Sequence, residues 1–446
     1  MVRHTSVNGA RAWVYAKRVT GRFQRLHRAS GVVLIGILAV VPWLSVAGQP
    51  VFRIDLPARH LTAFGTVFTA ADGFNLVLLA LLAAFSLFFF TALLGRLWCG
   101  WLCPQTVFLE ELVRPIERWF EGDRRVRMVR DAGPWTVERV SRKGGKWAAF
   151  GLLAFVVSMM ALSLFTDPRL LWTGQAGPAT YSLVGIGTFG LFVDWAWFRE
   201  QLCIYLCPYA RFQGALTDEH SLVVSYDQAR GEPRGRGRDA AREGHCISCD
   251  KCVDVCPQGI DIRDGFQLEC INCSRCVDAC EDVMGRLGQP PLVRYSTIAS
   301  DEGRTTHWVR GRIVAYAAIL LALTAGLAYR VLSQQALEAT VNRMPGSLFV
   351  QDDDGFVRNT YLVSIHNTDA RSAHDYVVTV RGLPEPQVTT PPLSLEPLTD
   401  GTVPLVIRLP NGATGRTAPF VVAIDDGTHE LSVDATFKAP PRGGLP

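Results

Sequence analysis

Hydrophobic positions in this chain gather into five long runs, at residues 29–47, 74–94, 147–165, 181–198 and 313–332, separated by stretches rich in arginine. Each approaches the roughly 20 residues that a helix needs to cross a hydrocarbon layer about 30 Å thick. The second contains the unbroken sequence LVLLALLAAFSLFFF, whose all-round apolar surface suits lipid. The fourth is weaker, because glycines interrupt it and Asp194 lies near its end. After residue 342 the period changes. TYLVSIHN, YVVTVRG, VPLVIRL and PFVVAIDD alternate apolar and polar positions between proline, glycine and aspartate turns, as in a β-sandwich.

These patterns predict a membrane α-helical bundle of about five transmembrane helices, a cytoplasmic ferredoxin-like insertion and a C-terminal Ig-like β-sandwich. The expected divisions are a basic N-terminal segment (1–28), a four-helix membrane region (29–212), a segment at 213–308 whose ferredoxin-like part spans about 240–290, a fifth membrane helix (309–335) and the sandwich (342–446). The first apolar run is long, starts late and lacks a small-residue cleavage site behind it, so it is expected to stay in the membrane and not to be removed as a signal peptide.

Charge sets the expected orientation. Arg3, Arg11, Lys17, Arg18, Arg22, Arg25 and Arg28 precede the first run, and the loop at 95–146 is equally basic, whereas the connections at 48–73 and 166–180 carry few cations. Because basic short loops are retained in the cytoplasm, the N-terminus, 95–146 and 199–310 are expected there, and everything beyond the fifth run in the periplasm of a bacterial inner-membrane protein. The net charge of +4 adds little. All twelve cysteines fall on the predicted cytoplasmic side, where a reducing compartment keeps thiols free for metals, so disulfides are not expected.

Eight of them carry the strongest chemical signal: Cys246, Cys249, Cys252 and Cys256, with Pro257 following, then Cys270, Cys273, Cys276 and Cys280. Two-residue gaps let three thiolates from one turn reach three irons of a cubane. Structural zinc is the bland alternative, but zinc takes separated pairs and has no use for a third cysteine at the same short interval. The arrangement resembles two-cluster bacterial ferredoxins. That resemblance implies crossed ligand sets, with Cys246, Cys249, Cys252 and Cys280 holding one 4Fe-4S cluster and Cys270, Cys273, Cys276 and Cys256 the other. Glu281 stands where such ferredoxins often carry proline.

The remaining four form a repeated CxxxCP pattern, Cys99 with Cys103 and Cys203 with Cys207, each shortly after a membrane run. A continuing helix would put residues four apart on one face. The prolines disfavour helical angles at Cys103 and Cys207, so breaks are expected there. Either geometry pairs two soft thiolates, which suit copper(I), zinc or iron-sulfur clusters. Packing as small apolar residues is the alternative, and the repetition argues against it. Trp98, Trp101, Tyr205 and Tyr209 read as interfacial anchors more readily than as electron relays.

The stretches GRLWCGWLCPQT, PIERWFEGDR, REQLCIYLCPYARFQGA, VSYDQARGEPRG and GIDIRDGFQLECINCSRCVDACEDVM together resemble the cytochrome c oxidase accessory proteins of the FixG/CcoG/RdxA type over nearly the whole chain. Quinol-dehydrogenase membrane subunits share the motif combination. The resemblance implies a membrane cupric reductase supplying copper(I) for cbb3-type oxidase assembly, with Cys99, Cys103, Cys203 and Cys207 as the copper-handling, catalytic thiols. It also implies partners among copper-transfer or oxidase-assembly proteins and an unnamed electron donor, and nothing in the sequence opposes a homodimer. Two other classes stay open: a quinol electron-transfer subunit that does not handle copper, and a non-redox copper chaperone.

The Gly- and Arg-rich run at 230–242 reads as a flexible linker near anionic headgroups. Nucleic acid is not an expected partner, because no aromatic platform accompanies the run. His27 and His60, near membrane boundaries, are candidate ligands only in the weakest sense.

Overall fold

The protein is described from a computed structural model covering residues 13–46, 49–56, 60–64, 66–68, 73–235, 244–332, 337–345, 348–367, 372–397 and 399–440. Two units emerge, Met1–Leu327 and Ala328–Pro446. The basic positions Arg3 and Arg11 and most of the 230–242 linker lie outside the described residues.

Among the described residues, four helices are long and apolar enough to cross a membrane: Arg22–Trp43, Phe74–Leu94, Val137–Leu162 and Gly311–Arg330. The fourth apolar run of the sequence forms a 16-residue α-helix, Pro178–Val193, which continues as a π-helical turn, Asp194–Phe198, and stops at Arg199, where φ turns positive at 56°. The glycines and Asp194 that weakened its sequence signal fall in this shorter helix and its altered last turn.

The first and third helices begin well before their apolar runs. The first starts at Arg22 because a distant carboxylate caps it: Asp278 accepts from the backbone N–H groups of Phe23 (3.1 Å) and Gln24 (2.7 Å). An anionic acceptor at a helix N-terminus satisfies orphan donors and opposes the dipole. Gly21 is required there, since a Cβ would lie 2.2 Å from the Asp278 carboxyl carbon. The helix Val137–Leu162 starts at a Thr136 cap that accepts from Arg139 N–H at 3.2 Å, ten residues before the apolar stretch. Cap chemistry thus overrides hydropathy in setting both starts.

The connections sort into two ends. After the first helix, three short strands, Phe52–Asp55, His60–Ala63 and Thr66–Phe68, form an antiparallel sheet. Ile54 N–H bonds to Leu164 O at 2.8 Å and Arg53 pairs with Asp167 at 3.3 Å, so the first and third helices finish at the same end. At the opposite end Leu222 N–H bonds to Leu93 O (3.1 Å), and Ser221 and Arg310 both donate to Ala92 O. That end gathers the 95–136 loop, the cysteine-rich segment and the start of Gly311–Leu332.

The cysteine-rich segment is framed by Val223–Tyr226 paired antiparallel with Val293–Ser296, with the helices Lys251–Asp254 and Arg275–Arg286 between. Glu281 lies inside Arg275–Arg286, where proline would remove a helical hydrogen bond, so the helix runs on past Cys280. The C-terminal unit is a two-sheet sandwich. One sheet centres on Phe356–Asn367 paired with Asp400–Pro410, the other on Thr417–Asp425 paired with Glu430–Lys438. Val363, Leu405, Ile407, Val422, Ile424 and Phe437 fill the space between them.

Buried charge ties the 95–136 loop to the start of the third membrane helix and to Arg199. Glu117, fully buried, meets Arg199, Arg127 (3.0 Å) and Lys146 (3.9 Å), which lie on other segments. Burial alone would raise its carboxyl, but Arg199 and Arg127 outweigh that and hold it down to about 2. A carboxylate depressed in the folded state contributes stability fully above its unfolded value, and that contribution is lost as pH falls from near 4.5 through about 2. Glu117→Gln should therefore destabilise the detergent-solubilised protein by roughly 3 kcal/mol, because it strands buried cations. Thermal unfolding at pH 7 and pH 3 checks this, with the gap to wild type narrowing at the lower pH.

Candidate functional site

Both cysteine runs of the ferredoxin-like segment adopt one local conformation. In the first, Ser248 (φ 50°) and Asp250 (φ 55°) flank Cys249; in the second, Asn272 (φ 55°) and Ser274 (φ 60°) flank Cys273. Residues with φ above zero reverse the chain on either side of the central cysteine, and Asn, Asp and Ser tolerate that region better than bulky or β-branched residues. The thiols before, at and after the reversal consequently face one space.

Those spaces are two cavities. Cys246, Cys249, Cys252 and Cys280 line one, with Tyr226, Met284 and Leu292 around them. Cys256, Cys270, Cys273 and Cys276 line the other, with Val224, Ile260 and Ile262, and Cys252 borders it as well. Among the described residues, no three Cys, His, Asp or Glu side chains converge closely enough to hold a single metal ion. Four thiols around a largely apolar cavity suit a polynuclear cluster. All twelve cysteines are free. Burial raises the thiols of Cys252 and Cys273, each to about 12, so proton loss there accompanies metal loading.

The two CxxxCP pairs are built alike. Each lies on a π-helical turn, Trp98–Leu102 and Leu202–Leu206, closed by Cys103 N–H to Trp98 O and Cys207 N–H to Leu202 O, both at 2.8 Å. Cys103 and Cys207 then turn extended (ψ 125° and 111°) before their prolines, which is the break that the prolines predicted. Such single π turns often mark functional sites.

The structure brings the two pairs together. Cys99 and Cys203 line one cavity of about 160 Å³, with Arg96, Arg211, Gln258 and Glu269. The Cys99 Sγ donates to Gln213 Oε1 at 3.4 Å. Burial first, then the Cys103 sulfur, with Cys207 adding to it, pushes the Cys99 thiol up to about 12. Burial and the other three sulfurs likewise raise Cys203.

Several side chains at this site differ from their sequence reading. Trp98 and Tyr205 are exposed, as interfacial anchors should be, but Trp101 and Tyr209 turn inward. Trp101 Nε1 donates to Asn272 O (3.2 Å), and the Tyr209 hydroxyl bonds to Thr91 Oγ1 (2.5 Å). His27 is buried between Glu111 (3.1 Å from Nδ1) and Gly100 O (2.6 Å from Nε2), so it braces the Cys99 turn and both nitrogens are engaged. The backbone of His60 pairs with Asp55 in the small sheet at the other end. Sequence reasoning missed Arg96, Gln213, Glu110 and Arg275. Arg275 sits between Cys273 and Cys276 and pairs with the buried Glu110, and an arginine inside a cysteine run was the available signal.

Comparison with known proteins agrees with this geometry. A family described as a 4Fe-4S dicluster domain matches residues 198–298, and one described as a 4Fe-4S binding domain matches 76–126, a stretch containing Cys99 and Cys103. A third, an IG-like fold at the C-terminus of FixG, matches 327–440. The chain is 32% identical to the nitrogen fixation protein FixG of Rhizobium meliloti, covering 97% of this chain and 93% of that one. It is 35% identical to protein RdxB of Cereibacter sphaeroides (84% and 83% covered) and 32% identical to protein RdxA of the same organism (97% and 94%). With apolar helices of membrane-spanning length, paired cluster cavities and an Ig-like C-terminal unit, the chain belongs to the FixG family of membrane iron-sulfur proteins.

Proposed function

We propose that this protein reduces copper(II) to copper(I) at the thiols Cys99, Cys103, Cys203 and Cys207, for assembly of the copper centre of a cbb3-type oxidase. The observation that carries this reading is the meeting of two CxxxCP turns, far apart in sequence, at one buried cavity that presents Cys99 and Cys203. Thiolates are soft donors and favour copper(I) over copper(II), so gain of one electron per ion matches the ion to the site. The crossed thiol sets of the two neighbouring cavities would hold 4Fe-4S clusters, which supply single electrons when bound. The end of the bundle that carries both sites also carries the basic 95–146 loop, which supports a cytoplasmic position for it and a periplasmic one for the sandwich.

The chain's own groups prepare the site. Gln213 holds the Cys99 sulfur, His27 fixes the turn through Gly100 O, and Arg96 places a buried cation at the cavity wall, where it favours ionised sulfur. Because burial keeps the Cys99 thiol protonated at neutral pH, ion uptake there must displace a proton.

Four outcomes test this reading. With dithionite-reduced protein freed of excess reductant, added copper(II) should reoxidise the clusters and yield matching copper(I), read by absorbance and a copper(I) chelator. Cys99→Ser/Cys103→Ser and Cys203→Ser/Cys207→Ser proteins should keep their iron yet react more than tenfold slower; equal rates would remove the thiols from the reaction and favour a quinol relay. Copper(I) affinity should rise with pH through neutrality, by about tenfold per unit for each proton displaced, in competition titrations. Cys273→Ser should cost up to about half of the bound iron, by metal analysis, since only one cavity loses a ligand.

A further inference from the structure

The two cluster cavities are not equivalent with respect to the Cys99/Cys203 cavity. Gln258 and Ile271 line both the thiol cavity and the cavity of Cys256, Cys270, Cys273 and Cys276. Among the described residues, none that lines the Cys246/Cys249/Cys252/Cys280 cavity lines the thiol cavity. Gly100, directly after Cys99 and at the centre of the Trp98–Leu102 turn, lies against the backbone of the second cysteine loop. A Cβ there would sit 2.3 Å from Ile271 O, 3.0 Å from Cys273 N and 3.1 Å from the Asn272 carbonyl carbon. Only glycine allows that approach. The next residue, Trp101, donates through Nε1 to Asn272 O at 3.2 Å.

Charge marks the same side. Arg96 is buried, lines the thiol cavity and donates to Ala210 O at 2.5 Å, and its guanidinium acts electrostatically on both Cys99 and Cys270. Behind the second loop, Arg275 pairs with Glu110, and Arg114 donates to Pro257 O at 3.2 Å, next to Cys256. In the other cavity Cys249 is exposed.

We propose that Arg96, Gly100 and Trp101 are positioning residues that couple the thiol site to the Cys256/Cys270/Cys273/Cys276 site alone. This rests on the reading of the cavities as cluster and thiol sites, and it specifies which of the two sites answers to the thiols. The sharing of a wall means that charge or packing altered at the membrane-edge turn reaches one cysteine set before the other.

The test uses full-length, cluster-loaded protein with no copper present, so its failure is separable from failure of the cupric reductase reading. Redox titration followed by EPR resolves the two reduced-cluster signals, with Cys249→Ser and Cys273→Ser assigning each to its cavity. Arg96→Gln, Trp101→Phe and Gly100→Ala should each shift the midpoint potential or line shape of the Cys273-assigned signal and leave the Cys249-assigned signal in place. A shift confined to the Cys249-assigned signal, equal shifts in both, or none in any variant would overturn the proposal. If Gly100→Ala loses iron through its clash with Ile271 O, Arg96→Gln, which changes charge without entering the loop backbone, decides the matter.

Discussion

A carboxylate taken out of water must meet cations, and in this protein Glu110 is the place where that requirement joins two regions of different character. It is buried, and it pairs with Arg114 at 2.8 Å on its own segment and with Arg275 from the cysteine-rich segment. Arg275 in turn donates to Gln24 Oε1 of the first helix at 2.9 Å. Burial works against the Glu110 charge, but Arg114 and then Arg275 outweigh it and hold the carboxyl below its ordinary value. Removing either partner strands charge in a low-dielectric interior, which is far costlier than loss of a surface pair. The membrane-edge turn, the first helix and the second cysteine loop are consequently fixed relative to one another.

That fixing is what a site built from distant segments needs. The thiol cavity draws Cys99 from one turn, Cys203 from another and Gln258 and Ile271 from the cysteine-rich segment. A gap of one methyl group at Gly100 would separate the turn from the loop behind it. Buried ion pairs cannot slide as apolar contacts can, because each has a preferred geometry and a large penalty for leaving it. Packing alone, among Leu109, Val113, Phe150 and Trp195, holds the helices together but does not define this register.

Much of this was legible in the sequence because it depends on short-range chemistry. The cysteine spacing, the apolar runs and the alternation of the tail each report on a local period, and the prolines after Cys103 and Cys207 report on local dihedrals. The starts of the first and third helices were not legible from hydropathy. One depends on Asp278, far along the chain, and the other on a polar extension that begins at Thr136 and reads as loop. Nor could the sequence show that Trp101 and Tyr209 face inward while Trp98 and Tyr205 face outward, since all four belong to the same repeated motif. The inequivalence of the two cluster cavities was equally hidden, for the two cysteine runs have the same spacing and differ only in which neighbours reach them.

The cap on the first helix ties the beginning of the chain to a residue made much later. Phe23 and Gln24 are separated from Asp278 by 255 and 254 positions, so their N–H groups have no such partner while the ribosome is still producing the membrane region. Asp278 stands between Cys276 and Cys280, on a helix that contributes a thiol to each of the two cavities. The cap of the first membrane helix therefore closes only after the cysteine-rich segment has emerged, so the N-terminal end of that helix is completed by chemistry the chain acquires last.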